Sequence, residues 1–313
     1  MMVVALAGGT GGAKLAHGLQ LALPAGGLTV VVNTGDDAER HGLLIMPDHD
    51  AVFYMLDGRF DDDRGWGIAG ETWTVMDELE RYGEERWFRL GDRDFATHIA
   101  RGARLRSGAS LSDAVLSLQA ARGIPTAILP MADEPVRTQV RTDEGWLDFQ
   151  EYFVHRHQAP EVREVRFVGV EAARPSPRGA AAIAAADVVV IGPSNPIVSI
   201  NPILAVPGMR ELIAGARARG VPVVAVSGIV GGKALKGPAD RMLTSLGSEA
   251  SARGVAALYA DLLCGFVLDT VDASLEREIQ ALGLRTLVTD TIMADDAGRA
   301  RLARAVIEFA TSI

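Results

Sequence analysis

The sequence predicts an α/β fold: a Rossmann-like, doubly wound, mostly parallel sheet with a helical lid insertion and a β-hairpin. Short runs rich in Val, Ile and Leu recur along the chain, and runs that are apolar on both faces are typical of buried parallel strands. Helical patterns lie between several of these runs, which is the alternation of a doubly wound fold. With 313 residues, 48% of them hydrophobic, the chain can bury such a core, and we expect residues 1–313 to form a single domain.

The predicted core consists of strands separated by helices. The strands are Val3–Ala7, Leu28–Val32, Ile124–Leu129, Val188–Ile191, Val221–Val226 and Phe266–Leu268. The helices are Ala13–Leu23, Ser110–Arg122, Gly208–Arg219 and Ser248–Asp261.

Two segments interrupt this alternation. Residues 54–122 contain aromatic-rich and charged stretches that look helical, so we predict a helical insertion or lid there. Val136–Thr142 and Trp146–Phe149 flank Asp-Glu-Gly, whose Asp and Gly favour a tight turn, and therefore predict a hairpin. The small residues of Ala172–Ala186 could mark a boundary.

The composition argues against several classes of partner. A formal net charge of −9 and a pI near 5.2 argue against a nucleic-acid binder, because that role needs a clustered cationic face. No run approaches the roughly 18 to 20 apolar residues of a membrane helix, and the N-terminal run is too short for a signal peptide. We expect a cytoplasmic protein that binds small polar ligands. The single cysteine, Cys264, is expected to be buried and inert.

The segment GGTGGAKL at 8–15 follows the first strand and precedes the first helix. Its backbone amides and the helix N-terminus can hold a phosphate, although a plain tight turn is the alternative. Ala13 stands where a Walker A loop has glycine, and Leu15 supplies no metal-binding hydroxyl. The segment is also an imperfect dinucleotide fingerprint. The candidate nucleotide-binding residues here are Gly8, Gly9, Thr10, Gly11, Gly12 and Lys14.

An acidic group follows the second strand, in NTGDDAERHG at 33–42 and MPDHDA at 46–51. Ligands of doubly wound sheets bind at the carboxyl ends of the strands. Crowded carboxylates repel one another unless a cation neutralises them, and oxygen ligands suit magnesium, so we predict a Mg²⁺ site. The alternative is a solvated loop in which Asp48 caps a helix at Asp50–Leu56. The candidate metal ligands are Asp36, Asp37, Asp48 and Asp50.

Two later segments also follow apolar strands. GPSNPIVSINPIL at 192–204 offers Ser194 and Asn195 at a strand-to-loop junction, where we favour a ligand site over a turn shaped only by prolines. SGIVGGKALKGPAD at 227–240 pairs glycines with Lys233 and Lys236, whose amines could hold a pyrophosphate. Exposed lysines are more often simply solvated.

A fifth segment, RLGDRDFATH at 89–98, brings charges, a hydroxyl and an imidazole into one turn that leads into a helix. These side chains either line a ligand site or form an internal salt bridge and N-cap. Trp66 and Trp73 nearby could stack on a flat ring, although such aromatics more often fill a lid's own core.

Taken together and in order, these segments resemble the 2-phospholactate transferase family of coenzyme F-420 biosynthesis, whose bacterial members can use an enolpyruvyl donor. The resemblance covers almost the whole chain. The similar blocks are GGTGGAKL, VVNTGDD, PDHD, RGWGIAGETW, LGDRDFATH, ILPMADEPV, DFQEYFV, GPSNPIVSI and LAVPGMRELI.

The resemblance implies a reaction and a set of partners. The terminal ribityl hydroxyl of the deazaflavin Fo would attack the phosphate that bears the lactyl or enolpyruvyl group, GMP would leave, and magnesium would span the diphosphate. Relatives suggest a homodimer, to whose interface the apolar segment at 201–213 could contribute.

The resemblance also implies roles for individual residues. The guanosine nucleotide would be held by Gly8, Gly9, Thr10, Gly11, Gly12, Lys14, Ser194, Asn195 and Lys233. Asp37 and Asp50 come first for catalysis and metal binding, and Asp36 and Asp48 second. The deazaflavin side would be lined by Asp50, Trp66, Arg89, Asp92, Arg93 and His98.

The chain departs from the family pattern at two places. The family often reads PDLDT where this chain reads PDHDA, so the threonine hydroxyl is missing at Ala51 and His49 replaces an apolar residue. The proline that often follows the serine at position 227 is absent.

Other interpretations start from fewer segments. A sugar-nucleotide-binding regulator of the gluconeogenesis-factor type would share the glycine and acidic segments but not the deazaflavin side. A nicotinamide oxidoreductase rests on the glycine segment alone. The sequence does not distinguish lactate, enolpyruvate and glycerate in the donor, because these acids differ by small groups in one pocket.

Overall fold

The computed structural model describes residues 1–313, and a seven-stranded parallel sheet forms its centre. The strands of the molecule are β1 (Val3–Ala7), β2 (Leu28–Val32), β3 (Ala38–Arg40), β4 (Leu43–Ile45), β5 (Ala127–Pro130), β6 (Arg137–Thr142), β7 (Gly145–Asp148), β8 (Glu164–Val168), β9 (Val188–Ile191), β10 (Val223–Val226), β11 (Ile229–Val230), β12 (Lys233–Ala234), β13 (Gly265–Asp269) and β14 (Arg285–Thr289). The order in the large sheet is β14-β13-β10-β9-β1-β2-β5. The chain therefore winds outward from β1 in one direction and then from β9 in the other, which confirms the doubly wound α/β fold.

Helices connect these strands and cover both faces of the sheet. They are α1 (Gly9–Ala22), α2 (Pro47–Leu56), α3 (Thr74–Arg81), α4 (Asp92–Arg106), α5 (Leu111–Ala121), α6 (Pro177–Ala184), α7 (Asn201–Ala205), α8 (Met209–Ala218), α9 (Ala239–Ser245), α10 (Ala252–Tyr259), α11 (Glu276–Gln280) and α12 (Asp296–Thr311). Short helical turns of other types occupy Glu151–His155, Val170–Ala172, Pro196–Ile200 and Thr270–Leu275.

Alternate residues of each central strand enter two different cores. In β1, Val4 and Leu6 belong to the core that also contains Ile183 of α6 and Ile213 of α8. Val3, Ala5 and Ala7 of the same strand join the opposite core, with side chains of α1, α2 and α12. A strand that is buried on both faces must be apolar at every position, which explains the continuous apolar runs of the sequence.

The predicted strands are confirmed with small shifts at their ends. β1, β2 and β9 have the predicted bounds, whereas β5 begins at Ala127 and β10 at Val223. The predicted hairpin is β6 and β7, and β8 adds a third antiparallel strand to it. Three further elements are absent from the prediction: the β3–β4 ribbon, the β11–β12 ribbon and the edge strand β14.

Two local predictions were wrong. The first helix begins at Gly9, not at Ala13, so most of the glycine segment belongs to its first turn. Cys264 is half-buried and not fully enclosed. Within the predicted insertion, α3 packs on α4, and α4 packs on α5 and β4, whereas α2 and α5 pack against β5 of the central sheet.

The apolar segment at 201–213 lies inside the protein. Ile203, Leu204 and Ile213 are core residues at no more than 4% exposure, which contradicts the prediction that this segment contributes to a dimer interface. No single helix has the length and apolar character needed to cross a membrane; the pair Pro196–Ala205 and Met209–Ala218 meets those two criteria jointly, with a bend of 83°.

Candidate active site

A cavity of about 1030 Å³ opens at the carboxyl edge of the central sheet. The first turn of α1, the start of α2 and the loop after β9 form one side of it. Its other walls include side chains from residues 64–67, 87–90 and 149–157. The cavity thus lies at the junction of β1 and β9, where the strand order reverses and where doubly wound sheets bind ligands.

Because glycines have no side chain, the glycine segment lets the start of α1 approach the loop after β9 and the start of α2 closely. The Gly8 amide donates to Ser194 Oγ at 3.1 Å, and the Gly9 amide donates to Asp48 Oδ1 at 2.7 Å. A Cβ atom on Gly12 would lie 2.5 Å from Ser194 Oγ, so no larger residue fits there. The predicted nucleotide-binding residues that line the cavity are Gly8, Gly9, Thr10, Gly11, Lys14, Ser194 and Asn195. Gly12 lies behind them as a packing residue.

Asn33, the residue after β2, connects two of the predicted carboxylates. Its Nδ2 atom donates to Asp36 Oδ1 at 3.0 Å and to Asp48 Oδ2 at 2.9 Å. Both carboxylates are 5% exposed, so the alternative of a solvated acidic loop is wrong. Asp48 does not cap the helix that follows it, as the alternative supposed, since it lies within α2 and its oxygens accept from Asn33 and from the first amide of α1, that of Gly9.

Burial makes this acidic group costly to ionise. Burial, followed by the charge of Asp48, raises the pKa of Asp36 well above its usual range. Burial also raises the pKa of Asp37 well above its usual range, and it raises the pKa of Asp48 to about 6. The Oδ1 atom of Asp37 is buried without a hydrogen-bond partner. These oxygen atoms suit a divalent cation, which would supply the positive charge that the group lacks.

The carboxylates are not equally placed for such a cation. Asp36, Asp48 and Asp50 line the cavity, whereas Asp37 lies behind its surface. Asp50 already has a cationic partner, because Arg101 Nη1 donates to its Oδ1 at 2.7 Å and Arg101 Nη2 to its Oδ2 at 3.0 Å. Burial alone would raise the pKa of Asp50, but Arg101 lowers it far below its usual range. Asp36 and Asp48 are therefore the cavity carboxylates that lack a cation.

Asp50 belongs to a buried network that continues into α4. Tyr54 Oη donates to Asp94 Oδ1 at 2.5 Å, and His98 Nε2 lies 3.0 Å from the same oxygen. Ligand atoms of Asp50, Asp94 and His98 lie within 4.8 Å of one another, a spacing that could hold a metal ion. Because Arg101 already neutralises Asp50, we interpret this network as an ion-pair framework for the cavity wall.

The fifth segment contributes less to the cavity than predicted. Arg89 and Trp66 line it, as expected for the predicted deazaflavin side. Asp92, Arg93 and His98 do not. Asp92 accepts hydrogen bonds from Thr72 and from the amides of residues 74 and 75. Arg93 is exposed and donates to the carbonyl of Ala69, and His98 lies behind the cavity wall. The placement of Asp92, Arg93 and His98 therefore does not support the ligand contacts predicted for them.

Lys236, and not the predicted Lys233, faces the cavity. Lys233 is 80% exposed at its side chain and pairs with Asp240 at 3.5 Å. Lys236 Nζ instead donates to the Gly65 carbonyl at 2.6 Å and to Thr10 Oγ1 at 3.2 Å. Lys233 lies in β12 and Lys236 lies two residues beyond the end of that strand, so their spacing in sequence does not reveal which one reaches the site.

Aromatic and cationic side chains surround the end of the cavity away from the glycines. Trp87 stacks on His155, with ring centroids 4.9 Å apart and planes 8° apart, and both residues line the cavity. Arg40 lies over the other side of this pair, 4.2 Å from the Trp87 ring. Arg89 similarly covers Trp73 at 4.2 Å. This end suits a flat, polar ring system.

Several site residues were not found from the sequence. Tyr54, Trp87, Arg101 and His155 belong to this group. Arg101 lies in an amphipathic helix, where charged residues ordinarily face solvent, so only its contact with Asp50 of α2 shows its role. The aromatic composition of residues 87–88 and 152–155 was the one available signal for the others.

Comparisons with known proteins give a consistent result. The family described as "2-phospho-L-lactate transferase CofD" matches residues 3–301. A protein of Kitasatospora aureofaciens named phosphoenolpyruvate transferase is 43% identical over 100% of this chain and 99% of its own length. A protein of Methanosarcina mazei named 2-phospho-L-lactate transferase is 41% identical over 98% of this chain and 99% of its own.

A solved structure supports the fold independently. A member of the UPF0052 family from Bacillus halodurans superposes with a TM-score of 0.65 over 98% of both chains, at 14% sequence identity. At this identity, the likeness concerns the α/β architecture alone.

Proposed function

The chain belongs to the 2-phospho-L-lactate transferase CofD family, and from this premise we propose the reaction that its cavity performs. A 2-phospholactyl or phosphoenolpyruvyl group passes from a guanosine diphosphate-linked donor to the ribityl hydroxyl of the deazaflavin Fo. The new bond joins that hydroxyl oxygen to phosphorus, the bond from phosphorus to the bridging oxygen breaks, and GMP leaves. The product is coenzyme F-420-0 or its dehydro form.

One contact carries this proposal: the Gly9 amide donates to Asp48 at 2.7 Å. It joins the N-terminus of α1, which attracts anions, to a buried acidic group, which attracts cations. A diphosphate and a divalent cation attract each other and need both surroundings at once. The aromatic end of the same cavity then provides the place for a flat acceptor ring.

The residues around α1 are proposed to hold the donor. Gly9, Thr10 and Gly11 of the first turn line the cavity, and Lys14 and Lys236 supply positive charge beside them. Ser194 and Asn195 border the same side of the cavity after β9. This arrangement fixes the diphosphate in one orientation, which matters because phosphoryl transfer depends on in-line placement and charge stabilisation.

Magnesium fits the acidic group through Asp36 and Asp48, with Asp37 behind them. Bound there, the ion would neutralise negative charge on the diphosphate as GMP leaves. Asn33 keeps the two cavity carboxylates in position through one amide nitrogen. Asp37 and Asp50, the predicted first choices, keep a supporting role in this proposal, because Asp50 is engaged by Arg101 and Asp37 does not reach the cavity surface.

The acceptor hydroxyl must lose a proton as it attacks. Of the carboxylates that line the cavity, Asp50 is held as an anion by Arg101 and has a lowered pKa, which makes it a weak base. Burial raises the pKa of Asp48 to about 6 when no cation is bound, so Asp48 is the stronger base of the two, and a carboxylate oxygen that does not bind magnesium would accept the proton. We therefore place the hydroxyl between Asp48 and the aromatic end, near Tyr54 and Arg89.

A turnover experiment tests the reaction and names the acid. The purified protein is incubated with Fo, Mg²⁺ and, separately, the lactyl, enolpyruvyl and glyceryl guanosine diphosphate donors. Mass spectrometry should detect GMP and a phosphorylated deazaflavin in at least one mixture. Asp36→Asn should abolish product, whereas Asp143→Asn, at an exposed aspartate in the β6–β7 turn, should not. No product in any mixture from folded protein would contradict the proposal.

Two further properties are proposed from the family resemblance: a cytoplasmic location and a homodimeric state. Sedimentation equilibrium of the purified protein and fractionation of cells that express it measure them directly.

A further inference from the structure

A short loop lines the cavity beside the first turn of α1. Its ends meet in a bridge between Phe60 and Ile68. Inside it, the Gly65 amide donates to the Asp61 carbonyl at 2.8 Å, and the Arg64 guanidinium donates to the Ile68 carbonyl at 2.6 Å. We call residues 61–67 the strap loop. These internal bonds make it a unit that can move without losing its own shape.

Two sets of hydrogen bonds fasten the strap loop to the rest of the protein, and the Trp66 ring also packs edge-on against Trp73, with ring centroids 6.0 Å apart. On one side, Arg299 of α12 donates to Asp62 at 2.6 Å. On the other side, Lys236 Nζ donates to the Gly65 carbonyl at 2.6 Å, and Thr10 Oγ1 donates to the same carbonyl at 3.3 Å. The second fastening lies at the first turn of α1 and is built from residues that line the cavity. The same side chain, that of Lys236, therefore lines the cavity and holds the strap loop through its Nζ atom.

The charges around this atom point to an anionic ligand. The chain contains only three lysines, at positions 14, 233 and 236. Lys233 has a carboxylate partner, Asp240, but Lys14 and Lys236 bond only to uncharged oxygens, those of Met293, Gly65 and Thr10. Burial lowers the pKa of Lys236, and the charge of the nearby Lys14 lowers it further. Two ammonium groups that form no hydrogen bond to a carboxylate thus line one cavity, and Asp62 acts on Lys236 only through its charge.

The ammonium of Lys236 also has capacity for another acceptor. An ammonium group has three N–H donors, and Gly65 and Thr10 take two of them. A phosphate oxygen at the start of α1 can accept the third, and a charged acceptor strengthens the whole arrangement because it offsets the repulsion from Lys14. The same side chain can then hold the ligand and the strap loop together.

We propose that Lys236 is a clasp that couples binding of the donor diphosphate to closure of the strap loop over the cavity. The proposal rests on the proposed function, since it takes a guanosine diphosphate as the ligand. Coupling is reciprocal: a diphosphate that holds Lys236 also stabilises the closed strap loop, and a closed strap loop strengthens diphosphate binding. Closure on the donor would keep water away from the diphosphate before the acceptor hydroxyl attacks.

Hydrogen exchange of the strap loop tests the coupling. Wild type, Lys236→Met and Lys233→Met are each compared with and without GDP and Mg²⁺, at GDP concentrations that calorimetry shows to be saturating for that protein. GDP should slow exchange in the strap peptide of wild type and Lys233→Met by about fivefold or more. In Lys236→Met, the affinity for GDP should fall about tenfold, as expected for one charge-assisted hydrogen bond, and saturation with GDP should no longer slow the strap peptide.

A second measurement uses the unaltered protein. Limited acylation of lysine side chains, read by mass spectrometry, should show that GDP protects Lys14 and Lys236 but leaves Lys233 as reactive as before. Equal protection of the strap peptide in wild type and Lys236→Met, or no protection of Lys236 from acylation, would overturn the clasp while the donor class stands. No binding of GDP to the wild type would overturn the donor class and the clasp together.

Discussion

Arg101 places its two terminal nitrogens on the two carboxylate oxygens of Asp50, at 2.7 and 3.0 Å, and is itself fully buried. This pair divides the acidic group into two parts with different electrostatics. Asp50 is a neutralised anion whose pKa is lowered, whereas the pKa values of Asp36 and Asp48 are raised because they share burial without a cation. One part therefore stabilises the cavity wall, and the other is available for a ligand.

Arg101→Met should destabilise the protein strongly. The substitution leaves the Asp50 carboxylate buried without its partner, and breaking a buried pair in this way costs about 3–5 kcal/mol. Urea denaturation followed by circular dichroism measures the loss. Arg106→Met is the matched control in the same helix, because Arg106 is exposed and should change the free energy of unfolding by less than about 0.5 kcal/mol. Equal losses for the two variants would show that the buried pair has no special role.

Asp36→Asn should be more stable than wild type at high pH when divalent ions are removed with EDTA. The folded-state pKa of Asp36 is raised above its usual value of 3.8, so the folded protein retains this proton longer than the unfolded chain. Stability from this group is then present at low pH and lost as pH rises. The advantage of the neutral asparagine should therefore be absent below about pH 4 and grow above it. Thermal unfolding of both proteins across the pH range measures the difference, with Asp63→Asn as the exposed control; a constant difference would contradict the assignment.

Mg²⁺ should stabilise the wild type at high pH and not at low pH. At pH 8 the carboxylates are ionised and can bind the ion, which then raises the free energy of unfolding by binding the folded state. At pH 4.5 protonation of Asp48, whose pKa is about 6, should remove most of this effect. Asp36→Asn should respond less than wild type at pH 8. An equal shift of the melting temperature in both proteins would place the ion elsewhere.

Gly12→Ala and Gly215→Ala should have opposite effects on stability. A Cβ atom at Gly12 would lie 2.5 Å from Ser194 Oγ and 2.9 Å from Ala7 Cβ, so the added methyl group should cost about 1–3 kcal/mol by overpacking. Gly215 lies in α8 with only the tip of Arg219 near its added Cβ, and alanine there should add roughly 0.5–1 kcal/mol. Denaturant unfolding gives both values. Tolerance of alanine at position 12 would show that the β1–α1 turn is loosely packed.

The fold could be predicted where burial on both faces forces a strand to be apolar throughout. β1, β2 and β9 satisfy this condition, and their bounds were predicted correctly. β14 was missed because it is a half-buried edge strand whose sequence, Arg-Thr-Leu-Val-Thr, contains no continuous apolar run. The first helix was predicted too short because glycines usually end a helix, whereas here they allow the close contact with the loop after β9.

The site could be predicted where its residues follow a strand directly. Asp36, Asp48 and Ser194 were found because strand ends meet at one edge of a parallel sheet. Arg101 could not be found in this way, since its partner Asp50 is 51 residues distant and only the packing of α4 joins them. The choice of Lys233 over Lys236 was wrong for a similar reason: only contacts with distant parts of the fold, Asp240 for Lys233 and Gly65 for Lys236, show which amine faces the cavity.

Trp87→Ala should weaken the acceptor and leave the donor unaffected. Trp87 lines the end of the cavity opposite the glycines, where His155 stacks on it and Arg40 covers it. Both faces of Trp87 are thus covered, so it acts by holding His155, which lines the cavity, in place for a flat ring. Stacking of a flat ring on an aromatic side chain is worth about 1–3 kcal/mol, so loss of this support should raise KM for Fo roughly tenfold while KM for the guanosine diphosphate donor stays constant. Steady-state kinetics with each substrate varied separately measures the two values. Tyr82→Ala is the matched control, because Tyr82 is an aromatic residue of the same insertion that is 82% exposed and should alter neither KM. A rise in the donor KM would instead place the nucleotide at the aromatic end, and would reverse the orientation that we propose for the two substrates.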